Sequence, residues 1–128
     1  MDNINDLSYK IIGCVFNVYN HLGPGLLESV YEKALMYELK KQGLKARNQE
    51  LVDVIYDGEP LGLELRLDVI VEDTIVLELK SVEKLLPVHS KQLYTYLKLT
   101  DKRLGLLINF NVSNIAKEGI TRIANHLE

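Results

Sequence analysis

Three charged residues lie inside two apolar runs near the middle of the chain. The segment "LRLDVIVEDTIVLELKSV", residues 65 to 82, holds Asp68, Glu78 and Lys80 among valines, isoleucines and leucines. Such runs are typical of strands in a packed sheet. Burying a lone charge costs free energy, so these charges need a structural or a chemical reason to be there.

The alternation of side chains along a strand predicts that the three charges share one face. Glu78 and Lys80 are two residues apart and therefore point the same way. If the turn between the runs is centred on Asp73, Asp68 faces Glu78 directly, with Cβ atoms about 5 Å apart. Two carboxylates at that distance repel unless a cation lies between them, and hard carboxylate oxygens suit Mg²⁺ or Mn²⁺. The pattern leaves open a solvated face with a cross-strand ion pair.

The elements around these residues follow from hydrophobic periodicity. The apolar spacing predicts helices first and strands next, with Gly23-Pro24-Gly25 ending the first helix and Asp57-Gly58 marking a hairpin turn. The last helix begins at Ser113 as its N-cap and ends near His126. The order ααβββαβα predicts an α/β fold, a mixed sheet with helices on its faces. The predicted ranges are helices at 4–22, about 26–42 and 88–99, and strands at 51–56, 63–71, 74–82 and 103–110.

Three further polar residues have both a structural and a chemical interpretation. Glu28 opens the second helix, where an acid is favoured by the helix dipole alone. Gln92 and Tyr96 are four residues apart and share one face of the third helix. Taken singly, each fits an ordinary surface position at least as well as a site.

Together these segments resemble a known family. "GLLESVY" reads Gly25-x-x-Glu28-x-x-Tyr31 and resembles the signature of the GxxExxY protein family, which is placed in the PD-(D/E)xK nuclease superfamily. The resemblance continues through "VIVEDTIVLELKSV", "PVHSKQL" and "LGLLINF", and so covers nearly the whole chain. Leu67 stands where the superfamily often has proline before its aspartate.

The resemblance implies a restriction-endonuclease-like α/β core and assigns roles within it. Asp68 would be the superfamily's aspartate, Glu78-Leu79-Lys80 its (D/E)xK motif, and Glu28 its additional helix-borne acid. Gln92 and Tyr96 look like the Gln-x-x-x-Tyr motif of RecB-type nucleases and would support the site.

The activity implied is metal-dependent hydrolysis of phosphodiester bonds in nucleic acid, with DNA as the first candidate. Asp68 and Glu78, with Glu28 and the Leu79 carbonyl, would hold one or two Mg²⁺ or Mn²⁺ ions. Lys80 would orient the attacking water or stabilise the transition state. Two alternatives remain: a nucleic-acid- or protein-binding module that keeps the fold without catalysis, and a metal-free acid/base hydrolase that uses Glu28 and Glu78.

Length and composition set the remaining expectations. Residues 1–128 have the size of one domain, and the net charge of −3 argues mildly against avid nonspecific binding of nucleic acid. No apolar run is long enough to span a bilayer, and the N-terminus lacks the basic region of a signal peptide, so a cytoplasmic location is expected. A homodimer would extend the grip of so small a domain on a duplex.

The cysteine, the histidines and the basic clusters complete the inventory. Cys14 lies among apolar neighbours and is expected in the core. The histidines have no pair at metal-ligand spacing, which argues against zinc. Two basic clusters are candidates for phosphate contact or are solvated faces. The histidines are His21, His89 and His126; the clusters are Lys40, Lys41, Lys45 and Arg47, and Lys98, Lys102 and Arg103.

Overall fold

The computed structural model describes residues 3–126. Two helices come first, followed by a three-stranded meander, a crossover helix and a final pair of strands. The elements are α1 (Ile4–Leu22), α2 (Glu28–Lys41), β1 (Ala46–Tyr56), β2 (Glu59–Val71), β3 (Ile75–Lys80), α3 (Pro87–Thr100), β4 (Leu104–Asn109), a π-helical turn (Ile115–Gly119) and β5 (Ile120–Ala124).

The strands of this range form one mixed sheet in the order β1-β2-β3-β4-β5. β3 and β4 run parallel, and the other neighbours are antiparallel. Parallel neighbours need a crossover connection, and α3 supplies it. The predicted mixed sheet with flanking helices is confirmed.

Helices cover both faces of the sheet at its centre. α1 and α2 pack on one face through residues such as Ile11 and Leu35, and α3 packs on the other face through Leu93 and Leu97. Every residue of β4 is buried as a result. A strand buried on both faces has no need of alternation, which explains the continuous apolar run from Leu104.

The helix ends follow the sequence closely. Asn3 caps α1, because its side chain accepts a hydrogen bond of 2.8 Å from the backbone N–H of Asp6. α2 ends before Gly43, whose φ of 74° is the left-handed conformation that glycine adopts without strain. Cys14 is buried in the core, as predicted.

The turn between β2 and β3 sets the register that the site depends on. The pairs Val69–Leu77 and Val71–Ile75 are both centred on Asp73. Glu72 and Asp73 have φ values of 53° and 50°, and the N–H of Thr74 closes the turn on the carbonyl of Val71. The predicted centre of this turn is therefore confirmed.

The predicted last helix, from Ser113 to near His126, is wrong. Asn114 caps only a single π-helical turn, through a hydrogen bond from the Lys117 N–H, and β5 then pairs antiparallel with β4. The prediction relied on a local capping signal at Ser113, and the cap lies instead at the next residue. Ile120 and Ile123 pack into the apolar clusters on opposite faces of the sheet, as residues three apart on a strand must.

Two strands also begin earlier than the periodicity predicts. β1 starts at Ala46 and β2 at Glu59, so their hairpin is longer than expected. Its distal part is exposed on both strands. No helix within residues 3–126 combines the length and the apolar character needed to cross a membrane.

Candidate active site

Asp68 and Glu78 meet where β2 and β3 separate. Regular pairing of these strands stops at Val69–Leu77, and Asp68 and Glu78 are the next residues in the same register. Beyond this pair, hydrogen bonds from backbone N–H groups to the carboxylates of Asp68 and Glu78 replace the backbone hydrogen bonds between the two strands. The Leu79 N–H donates a 2.8 Å hydrogen bond to Oδ2 of Asp68, and the Asp68 N–H donates a long one, 3.5 Å, to Oε1 of Glu78.

The Leu79 backbone faces this opening. In an extended strand, the N–H and C=O of one residue point to the same side, so the Leu79 carbonyl lies on the side that faces Asp68. The next carbonyl, that of Lys80, points the other way and accepts a 2.9 Å hydrogen bond from the N–H of Phe110. The backbone atom that the sequence assigned to the site is therefore oriented toward β2.

Burial and mutual repulsion perturb both carboxyl groups. The Glu78 residue is only 7% exposed, and burial, followed by the charge of Asp68, raises its pKa from 4.5 to about 7. Burial also raises the pKa of Asp68, against the lowering effect of the Leu79 hydrogen bond. A bound cation would offset the repulsion between the two carboxylates.

Lys80 lies close enough to act on both acids. Its charge lowers the pKa of Asp68 and of Glu78, although burial outweighs it in each case. Lys80 is half-buried, and among residues 3–126 its ammonium group has no carboxylate within ion-pair distance. The predicted arrangement of two carboxylates and one amine on one patch is therefore present, without a direct ion pair.

Tyr31 holds closed the loop that precedes Glu28. The Tyr31 hydroxyl donates to the Gly23 carbonyl at 2.6 Å and accepts from the Leu26 N–H at 3.1 Å. The Tyr31 ring is buried and stacks on Phe110, with centroids 4.2 Å apart. Glu28 follows this loop as the first residue of α2; its side chain is exposed, and its charge adds a small repulsion to Asp68.

The same loop is tied directly to the end of β3. Ser81 follows Lys80 and donates a 2.5 Å hydrogen bond from Oγ to the Leu26 carbonyl. The buried Asn109 side chain then fixes Val82, accepting from its N–H at 3.1 Å and donating to its carbonyl at 3.0 Å. The chain just after Lys80 is thus held to the loop before α2 through Ser81 and to the end of β4 through Val82.

Gln92 and Tyr96 lie on α3 beside the same carboxylates. Gln92 Nε2 donates a 3.0 Å hydrogen bond to the Tyr96 hydroxyl. Burial, and then the charge of Glu78, raise the pKa of Tyr96. His89, which also lies on this helix, is half-buried and caps the helix start by accepting from the Leu86 N–H. The predicted helix face therefore approaches the site through Tyr96.

Glu32 is a nearby acid that the sequence analysis missed. Its charge raises the pKa of both Asp68 and Glu78, and on Asp68 its effect exceeds that of Glu28. The Glu32 carboxylate accepts hydrogen bonds from Asn48 and Gln49 of β1, at 2.9 and 2.7 Å. Its spacing of four residues from Glu28 was the available signal, because such residues share a helix face.

The carboxylate pair fits a divalent cation, with Glu28 outside the immediate cluster. Oδ1 of Asp68 and Oε2 of Glu78 accept no hydrogen bond from the described residues, so each acid keeps an oxygen free for a ligand. No three His, Cys, Asp or Glu residues within 3–126 come close enough together to share an ion. Two carboxylates and waters satisfy Mg²⁺, which rarely uses an all-protein cage.

The larger basic cluster lies around the turn between β2 and β3. Lys40, Lys45 and Arg47 line an open cavity of about 900 Å³ together with Glu72 and Asp73. Arg47 pairs with Asp73 at 3.2 Å and with Glu50 at 2.9 Å. Acids therefore offset part of this cluster, and nothing in its contacts joins it to Asp68 and Glu78.

Comparison with known proteins agrees with this fold. The crystal structure of SSO0001 matches with a TM-score of 0.55 and 24% sequence identity, over 79% of this chain and 52% of that one. The chain thus spans about half the length of that protein, and the likeness concerns the fold. Among curated proteins no match was found. A family model described as the PD-(D/E)XK nuclease superfamily matches residues 5–123, and the chain belongs to this superfamily.

Proposed function

We propose that this domain is a metal-dependent nuclease that hydrolyses phosphodiester bonds in nucleic acid, with DNA as the preferred substrate. We also propose that it belongs to the GxxExxY group of the superfamily. One observation carries the proposal: Asp68 and Glu78 converge at a strand opening with their pKa values raised, and Lys80 acts on both. Such perturbed groups with specific charged neighbours are typical of functional sites.

Asp68 and Glu78 would hold Mg²⁺ or Mn²⁺, with Glu28 and the Leu79 carbonyl as further candidate ligands. When bound, the ion supplies positive charge that acidifies water and offsets charge on the phosphate. Asp68 stays oriented by the Leu79 N–H. Lys80 would place its ammonium against the attacking water or the phosphate oxygens, because no carboxylate of the described residues holds it in an ion pair.

Gln92 and Tyr96 would contact the phosphate from α3. The hydrogen bond between them fixes the Tyr96 hydroxyl, and this hydroxyl lies within electrostatic reach of Glu78. A neutral phenol with a raised pKa remains a hydrogen-bond donor at neutral pH. It could therefore donate to a phosphate oxygen without adding negative charge.

A binding module without catalysis is the second candidate. The net charge of −3 favours a module that binds protein rather than nucleic acid, and the exposed position of Glu28 favours either kind of module over catalysis. A metal-free acid/base hydrolase would leave Lys80 without a role. A homodimer and a cytoplasmic location stay predictions; light scattering coupled to size-exclusion chromatography tests the first.

The test is cleavage of labelled single- and double-stranded DNA and RNA with Mg²⁺, Mn²⁺ or EDTA. We expect cleavage with metal, loss in EDTA, and loss in Asp68→Ala. Asp53→Ala is the matched control, because Asp53 is an exposed aspartate of β1. Binding without cleavage by wild type under all conditions would favour the binding module. Cleavage that persists in EDTA would favour metal-free hydrolysis.

A further inference from the structure

Gln49 has a backbone conformation that is unusual for its position. Its φ is 52°, in the left-handed region that residues other than glycine seldom adopt. The other non-glycine residues with positive φ within 3–126 lie in turns or at the ends of elements, whereas Gln49 lies inside β1. Strained backbone of this kind persists only where the surroundings enforce it, and it often accompanies functional sites.

The unusual residue lies opposite Asp68. β1 and β2 pair at Asn48–Val69 and at Glu50–Leu67, so the same register puts Gln49 across from Asp68. That one pair is missing from the regular ladder. Asp68 thus sits where the pairing of β2 is interrupted toward β1 and has just ended toward β3.

Glu32 of α2 accounts for the conformation of Gln49. Consecutive residues of a regular strand send their side chains to opposite faces. Asn48 and Gln49 are consecutive, yet both donate to the Glu32 carboxylate, Asn48 to Oε2 at 2.9 Å and Gln49 to Oε1 at 2.7 Å. The backbone can satisfy both bonds because it turns at Gln49.

We propose that Glu32 is a positioning residue: its carboxylate holds Gln49 in the left-handed conformation, which keeps the β1–β2 ladder open at Asp68 and leaves Asp68 turned toward β3. The importance of this arrangement for activity rests on the proposed function. The arrangement itself does not, since the hydrogen bonds that carry it join residues of this chain alone. The repulsion that Glu32 exerts on both acids agrees with its closeness to them.

The test reads backbone conformation and exchange by NMR in the protein without metal. We expect Glu32→Ala to move the φ-sensitive coupling and carbon shifts of Gln49 toward extended values. It should also speed exchange of the Leu79 amide about tenfold, the effect of losing roughly one hydrogen bond. Glu38→Ala is the matched control, because Glu38 lies on the same helix and accepts a 3.3 Å hydrogen bond from Asn17. It should change neither signal.

A glycine rescue separates positioning from general support of the fold. Glycine adopts positive φ without strain, so it would need no hydrogen bond to Glu32 to keep this conformation. Gln49→Gly alone should keep the protection of Leu79, and adding Glu32→Ala to it should have little further effect. This pair remains informative even if the single Glu32→Ala variant does not fold. Two results would overturn the proposal. One is that Glu32→Ala leaves the Gln49 and Leu79 signals unchanged. The other is that Glu32→Ala still removes the protection of Leu79 when it is combined with Gln49→Gly.

Metal affinity then tests whether the positioning of Gln49 by Glu32 affects the site. Titration with Mn²⁺ should show affinity that falls about threefold to tenfold in Glu32→Ala and recovers in the double variant with Gln49→Gly. If wild type binds no Mn²⁺ and cleaves nothing while the NMR results are as expected, the proposed function is wrong and the positioning role of Glu32 is supported. If wild type binds Mn²⁺ and cleaves nucleic acid while Glu32→Ala leaves the exchange of the Leu79 amide unchanged, only the positioning role of Glu32 is wrong.

Discussion

Oε1 of Glu78 lies 3.5 Å from the backbone nitrogen of Asp68, so the most perturbed carboxyl group contacts the strand that carries its like-charged neighbour. Because Glu78 is nearly fully buried, its ionisation competes directly with the stability of the fold. The energetic cost of the site is therefore measurable by unfolding experiments as well as by activity.

Stability without metal should fall as pH rises from 4.5 to about 7. In this window folded Glu78 keeps its proton and unfolded Glu78 has lost it, because folding raises its pKa from 4.5 to about 7. The stabilisation is complete below pH 4.5 and is lost as pH passes 7, by on the order of 3 kcal/mol. Urea unfolding at pH 5 and pH 8 in EDTA measures it. Glu78→Gln should remove this dependence, and Glu64→Gln should keep it; equal slopes in wild type and Glu78→Gln would refute the assignment.

Divalent metal should reverse this loss at neutral pH. A cation bound only by the folded state stabilises by mass action, with a rise in Tm of about 10 °C at concentrations near 100 times Kd. Asp68→Asn should stabilise the metal-free protein, since it removes repulsion of Glu78, and should reduce the metal-induced rise. Thermal melts with Mg²⁺ and Mn²⁺ test this. A Tm that does not change when millimolar metal is added would count against a cation site.

Lys80 should contribute to turnover and little to binding. Lys80→Ala should lower single-turnover cleavage about 10²-fold or more, the range for removing one transition-state donor. Lys80→Arg should keep stability without restoring turnover, because a planar guanidinium does not replace a compact ammonium. Lys117→Ala, at an exposed lysine of the π-helical turn, is the control. Cleavage that survives in Lys80→Ala would remove this residue from the mechanism.

Two tyrosine substitutions should separate loop positioning from lost hydrogen bonding. Tyr31→Phe and Tyr19→Phe each remove a phenol that donates to a backbone carbonyl, of Gly23 and of Val112 respectively. Each should cost about 1 kcal/mol of stability. Only Tyr31→Phe loosens the loop before Glu28, so only it should weaken Mn²⁺ binding, by about threefold to tenfold. Isothermal titration decides; equal effects of the two variants would leave Tyr31 without a role in positioning Glu28.

Two glycine substitutions test the revised C-terminal region. At Gly119, a Cβ atom would lie 2.8 Å from the Asn109 carbonyl oxygen and 2.4 Å from Cδ1 of Ile115. Gly119→Ala should therefore cost about 1–3 kcal/mol of stability. Gly13→Ala, in the open middle of α1, should instead stabilise by up to about 1 kcal/mol. Chemical denaturation measures both. A stabilising Gly119→Ala would favour the helix that the sequence predicted.

Features that depend on local interactions were predicted correctly, whereas those that depend on contacts distant in the chain were not. The register of Asp68 and Glu78 depends on a local turn, and alternation of apolar residues was enough to place it. β5 depends on the free edge of β4, a contact that no local spacing reveals. Ser113 as an N-cap, with Ile120 and Ile123 three residues apart, favoured the wrong element.

Glu32 was missed for a related reason. Its partners Asn48 and Gln49 lie in the polar start of β1, "ARNQE", where no apolar alternation marks a strand. Without that strand, Glu32 looked like one more exposed acid on a charged helix. Glu28 was noticed because it opens a helix and because the resemblance includes it, although its side chain is exposed and Glu32 is half-buried.

The tight turn centred on Asp73 also bears on the order of folding. Asp68 and Glu78 are ten residues apart, and hairpins of this size close within microseconds. The burial that perturbs Glu78 requires α3 and β4, which come later in the chain and cross over the sheet. During synthesis, both carboxylates can therefore be adjacent while still hydrated and fully ionised. The proton affinity of Glu78 would then rise only in the last stage of folding, and its titration would report that the sheet is complete.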